Sequence, residues 1–158
     1  MVLTSTSDLI QVITASAVST IHVHASWADH TTTTFTPGRT NTLITLAATT
    51  TIVASPAAST QRQVKFITIR NNHASSSNAI TVQHTDGTTI AEQIKYTLLA
   101  GETMVYMDAD GWAVIDAAGA VKIGTGAPVG AEYIVGVADA TLTAERVVTN
   151  STSNTWNL

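Results

Sequence analysis

His22 and His24 are the residues of this sequence whose type and spacing come nearest to chemistry. In an extended segment, side chains two apart project from one face, so both imidazoles would stand together. Imidazole suits Fe, Zn or Ni, and three such pairs around a trimer axis would ligate one metal octahedrally. The plainer reading is a solvent-facing or interface pair that hydrogen-bonds among threonines, because a two-residue motif is weak without its setting. Asp108, Asp110 and Asp116 would offer oxygens to Ca²⁺, but their spacing is not that of an EF-hand loop, and carboxylates capping turn amides read better. His84 with Asp86, and the hydroxyls of Ser75 to Ser77, would suggest acid–base or nucleophilic work. A nucleophile needs a base held by a third group, and no elbow or oxyanion loop accompanies them. The sequon Asn150-Ser151-Thr152 matters only in a eukaryotic secretory pathway. No enzyme, no cofactor and no resident metal are expected.

The elements that would position these residues come from a chain of unusual composition. Its 158 residues hold only 7 Lys+Arg and 11 Asp+Glu, or 11 % charged, against about 25 % in ordinary soluble domains. Thr and Ala, with 29 and 23 residues, fill the gap. Thr is β-branched and favours strands, while its hydroxyl keeps a surface wet without charge. The net charge of −4 and the pI near 5.6 argue against nucleic acid as a partner, since phosphates need a basic face. Zero Cys excludes disulfides, thiolate zinc sites and cysteine nucleophiles. Asp8 and the lack of basic residues ahead of it argue against a signal peptide, and no apolar run approaches the roughly 18 residues a spanning helix needs. A mean hydropathy of +0.21 with so little charge favours association, so the expectation is a protein that works inside an assembly.

Strand signals recur about every ten residues. Leu9–Thr14 opens the series, and Ile21 to Trp27 alternates with Ile21, Val23, Ala25 and Trp27 on one side and His22, His24 and Ser26 on the other. Asp29 to Thr42 is polar, with Pro37-Gly38 read as a turn. Leu43 to Ala54 is one strand or two short ones, ended by Pro56. Val64 to Asn71 and Ala79 to His84 follow, separated by the polar turn Asn72 to Asn78, and Asp86-Gly87 is the strongest hairpin signal. Ile90 to Leu99 fits a helix or a strand, and the flanking turns with Tyr-Thr favour a strand. Thr103 to Asp108 and Trp112 to Asp116 complete the run. The expected fold is all-β, an antiparallel β-sandwich or jelly-roll-like domain with a C-terminal extension.

The texture changes after Lys122. Residues 1–122 are read as the sandwich domain, and 123–158 as a Gly- and Pro-bearing linker followed by an arm for attachment to other subunits. Trp27 and Trp112 read as core residues. Tyr133 and Trp156, with Glu145 and Arg146, read as the subunit interface, because aromatics concentrate in interface centres and sparse charges fix orientation. The other isolated charges, Arg39, Arg62, Arg70 and Glu132, are expected to pair with neighbours.

Pro37-Gly38-Arg39-Thr40-Asn41 and Ile52-Val53-Ala54-Ser55-Pro56-Ala57-Ala58-Ser59-Thr60-Gln61-Arg62 resemble a module of tailed-bacteriophage virion proteins. The likeness continues through Ile69-Arg70-Asn71, Thr81 to Thr88, Leu99-Ala100-Gly101-Glu102 and Asp110-Gly111-Trp112. Ala138 to Val148 is similar to a short segment that recurs in phage structural proteins. The resemblance runs over most of the chain from about Thr20. It implies a phage virion and a tail-fibre or appendage setting, where HxH pairs hold metal in some fibres and spikes. It brings no catalytic residues, and relatives that run past the equivalent of Trp156 imply a short version or a fragment. The resulting expectation is a non-enzymatic virion structural protein, a tail-fibre or tail-associated module assembling as a homotrimer with other virion proteins, away from nucleic acid and membrane. The alternatives are a capsid decoration or cement protein, and a carbohydrate- or receptor-binding tip that takes a host-surface glycan.

Overall fold

The computed structural model describes residues 1–17 and 20–124. Alternation of apolar and polar residues, the pattern that lets a strand bury one face and wet the other, runs through most of this length and produces eleven strands. These are β1 (Val2–Leu3), β2 (Leu9–Thr14), β3 (Ile21–His30), β4 (Phe35–Ile44), β5 (Thr49–Val53), β6 (Gln61–Asn71), β7 (Asn78–Thr85), β8 (Ile90–Leu98), β9 (Thr103–Met107), β10 (Gly111–Ile115) and β11 (Val121–Gly124). Among the described residues there is no helix.

The strands form two antiparallel sheets packed face to face, so the chain is all-β and built as a sandwich. The larger sheet has the order β11-β10-β9-β6-β3-β4, with β1 also on β6, and the smaller has the order β5-β2-β7-β8. β3 pairs with the whole of β6, while β9 takes Phe66 to Arg70 on its other side and β1 takes Arg62 and Gln63. Facing side chains of the two sheets meet in one core that includes Ile10, Val12, Ile52, Ile80 and Val82 from the small sheet and Ile21, Val23, Ile67, Ile69 and Met104 from the large one. Most of these are wholly buried, and burial of branched apolar side chains is the dominant favourable contribution to such a fold.

Two departures from the sequence reading are informative. Pro37-Gly38, expected as a turn, lies inside β4, paired with Ala28 and Trp27. Strand β4 is an edge of the large sheet, where a proline's missing N–H is tolerated. Gly38 is there because the Trp27 indole lies on it: a Cβ at Gly38 would come within 2.5 Å of Trp27 Nε1. The second departure is β11, which pairs with β10 and carries strand structure through Gly124, into the segment read as a linker. The ambiguous stretch from Ile90 is a strand, as expected. The expected arm, with Tyr133, Glu145, Arg146 and Trp156, lies outside the described residues.

Candidate functional site

Residues paired across an antiparallel ladder share a face, so register determines which side chains meet on the outer surface of the large sheet. Its core-directed positions on β3 are Ile21, Val23 and Ala25, all buried. His22 and His24 therefore point outward with Ser26, as their spacing requires. Across the ladders His22 pairs with Leu43 and Arg70, His24 with Asn41 and Thr68, and Ser26 with Arg39 and Phe66. The three strands thus lay down a grid of three rows: Leu43–His22–Arg70, Asn41–His24–Thr68 and Arg39–Ser26–Phe66. Beyond Ser26 a bulge leaves Lys65 as an extra residue on β6, and such bulges sharpen the local twist.

A shallow groove of about 460 Å³ opens over the first two rows, lined by His22, His24, Asn41, Leu43, Thr68 and Arg70. His24 Nδ1 lies 2.7 Å from Asn41 Oδ1. With the amide oxygen as acceptor, Nδ1 is the donor. Phe66 stands 6.3 Å from the His24 ring, centroid to centroid. Arg70 Nη1 donates to Thr103 Oγ1 at 3.2 Å.

The histidine pair is therefore real as geometry: two imidazoles on one face, one oriented by a neighbouring amide. It supplies two ligands, and among the described residues no group of three His, Cys, Asp or Glu gathers that would hold a metal. Arg70 directly across from His22 places a guanidinium where a bound cation would be repelled.

The other singled-out residues fall apart into turns and pairs. Asp86 Oδ1 accepts from the Thr88 and Thr89 amides at 2.8 and 2.6 Å, and these bonds hold its carboxyl below the ordinary range. Asp116 Oδ1 accepts from Ala118 and Ala120. Asp108 binds the Met1 ammonium, Lys65 and Gln63 at 2.8, 3.1 and 2.6 Å. His84 turns to Asp8, with Nε2 3.6 Å from Oδ1, while Asp8 Oδ2 accepts from the Thr4 and Ser5 amides. The Ser75 and Ser76 amides donate to His73 Nδ1, so that serine run is a capped turn.

The aromatic residues read as core do pack against it: Trp27 and Trp112 are partly buried at its margin, with Trp112 5.2 Å from the Tyr106 ring. Trp27 is clamped. Gly38 lies beneath it, and the Arg62 guanidinium sits 4.5 Å above its ring while binding Asp29 at 2.7 and 2.8 Å. Arg62 thus meets the expectation that the sparse charges pair. Arg39 and Arg70 do not: among the described residues neither has a carboxylate partner. Both belong to the outer grid, and only cross-strand register, which one sequence does not display, shows them together.

Compared with known proteins, the chain matches no family model, no curated protein and no solved structure.

Proposed function

We propose that the chain is a non-enzymatic structural protein of a tailed-bacteriophage virion, a tail-fibre or tail-associated module that assembles with copies of itself, as a trimer, and with other virion proteins. One observation carries the assembly part of this reading. The sandwich leaves two long strands, β4 and β8, at sheet edges, with large apolar side chains beside them. Phe35 at the start of β4 and Leu46 just past its end are 62 % and 65 % exposed, and Ile90 at the start of β8 and Leu99 just past its end are 63 % and 52 % exposed. Long edges with exposed apolar side chains are templates for further pairing, which lone soluble domains blunt with charge or cover. Here such protection is slight: β4 carries one charge, Arg39, and one proline, Pro37, and β8 two charges, Glu92 and Lys95. A subunit whose edges are met by neighbours needs no such protection, and repetition by symmetry turns many weak contacts into avidity. The phage setting rests on the resemblance quoted above.

The test is the mass of the full chain by light scattering across a wide concentration range, together with its position in an electron-microscopy map of the particle. The reading expects a trimer and density on the tail. A stable monomer at high concentration defeats the assembly argument, and density on the capsid shell moves the protein to a decoration role.

A further inference from the structure

The charges of the described chain are not scattered evenly. The outer-face positions of β4 are Phe35, Pro37, Arg39, Asn41 and Leu43, and those of β3 are His22, His24, Ser26 and His30, with Ala28 buried among them. On β6 and β9 they are Arg70, Thr68 and Phe66, then Thr103, Val105 and Met107. None is Asp or Glu. In a protein with 11 acidic and 7 basic residues, one sheet face thus carries two arginines and three histidines and no acid at these positions. Elsewhere three of the four described basic side chains are neutralised at short range, Arg62 by Asp29, Lys65 by Asp108 and Lys122 by Glu102, and only Lys95 stands alone on the other sheet. Arg39 and Arg70 are left with unspent charge at opposite corners of the grid, with His24 between them.

We propose that this face binds an acidic saccharide, a chain of carboxylate-bearing sugars lying diagonally from Arg70 across His24 to Arg39. This goes beyond the structural role and does not depend on it. Charge complementarity selects an anion. Two features select a saccharide over an acidic peptide. The path between the arginines crosses three strands on the sheet's face and is met there by side chains, whereas an extended peptide captured by main-chain bonds would run along the free edge of β4. The groups between the arginines are an amide, hydroxyl and imidazoles, namely Asn41, Thr68, His22 and His24, which suit sugar hydroxyls, while Leu43 offers an apolar patch to a ring's C–H face. Guanidinium forks match carboxylates bidentately. By sheet spacing the two arginines stand about 16 Å apart, a span of several sugar rings; the groove covers the Arg70 end of that path, with a volume in the range of ordinary ligand sites, and Arg39 stands on the sheet face beyond it.

The experiment is an NMR titration of the full chain with oligogalacturonate and with oligosialate, each against its carboxyl-reduced counterpart and against tetraglutamate. At least one acidic saccharide is expected to shift the amides of His22, Asn41 and Thr68 and to weaken as salt rises. Arg39→Gln and Arg70→Gln should each reduce its affinity at least tenfold, while Lys95→Gln on the other sheet leaves it unchanged. No shift with either acidic saccharide overturns the proposal, as do shifts confined to other regions of the unsubstituted protein. Equal binding of tetraglutamate or of the reduced sugars overturns the saccharide assignment. A fall in particle mass in Arg39→Gln or Arg70→Gln would mean that the face is covered by a second copy, which also overturns it.

Discussion

Asp108 shows what a single carboxylate does in a chain with so few charges. The Met1 ammonium first, and Lys65 beside it, hold its carboxyl down to about 2. A carboxyl whose folded pKa lies below its ordinary value of 3.8 favours the folded state above that value, and the contribution is lost as pH falls toward 2. Asp108→Asn should therefore lower the urea midpoint at pH 7 and leave it close to that of the parent at pH 2. Urea curves at both pH values check this, and an equal loss at both would mean that the charge is irrelevant. Glu102 follows the same logic from a harder starting point. Burial, at 3 % exposure, pushes its carboxyl up, and the Lys122 ammonium and the Leu99 amide more than offset it, so the net direction is down. That bond ties β11 back to the turn before β9, and it joins residues that no local sequence pattern links.

Strand β4 is the element where sequence and structure part, and Trp27 is the reason. A proline–glycine pair in a polar stretch is a turn by local chemistry, yet Gly38 serves as the flat floor under an indole on the neighbouring strand. Gly38→Ala would drive a methyl into Trp27 Nε1 and force the ring off both the glycine and Arg62. The expected cost is about 1 to 3 kcal/mol, read by chemical denaturation, with a shift in Trp fluorescence if the indole is displaced. An unchanged midpoint would show that the clamp is slack. The strands β2, β3 and β7 were legible because alternation is local and each buries one face. The edge position of β4 and its contact with Trp27 are tertiary facts, so its own residues could not announce them. The candidate site was legible by the same measure. His22 and His24 sharing a face follows from spacing alone, but their neighbours Asn41, Leu43, Thr68 and Arg70 come from two other strands. Only the register of β3 with β4 and β6 brings those residues together.

At the scale of the whole chain, the described core and the residues of the expected subunit arm fall in different stretches of sequence. Among the described residues, every member of the buried core falls between Leu3 and Val114, and the last described strand, β11, ends at Gly124. The residues expected to make subunit contacts, Tyr133, Glu145, Arg146 and Trp156, all come later. If the exposed edges of β4 and β8 hold neighbours only together with the later residues, stability and association are separable by one cut. A chain ended after Ala127 keeps all of the described core and the β10–β11 pairing. It should melt by circular dichroism within a few degrees of the full chain at low concentration, where oligomer formation contributes least. By light scattering it should weigh one subunit, against three for the full chain. Retained trimer mass in the shortened chain would move the contacts onto the sandwich itself, to the exposed edges of β4 and β8. Loss of the β-sheet spectrum would mean that stability and association cannot be divided, as in obligate oligomers whose monomers do not fold alone. The low charge of the chain makes the first of these failures the more instructive, because it would show that edge pairing alone holds the subunits together.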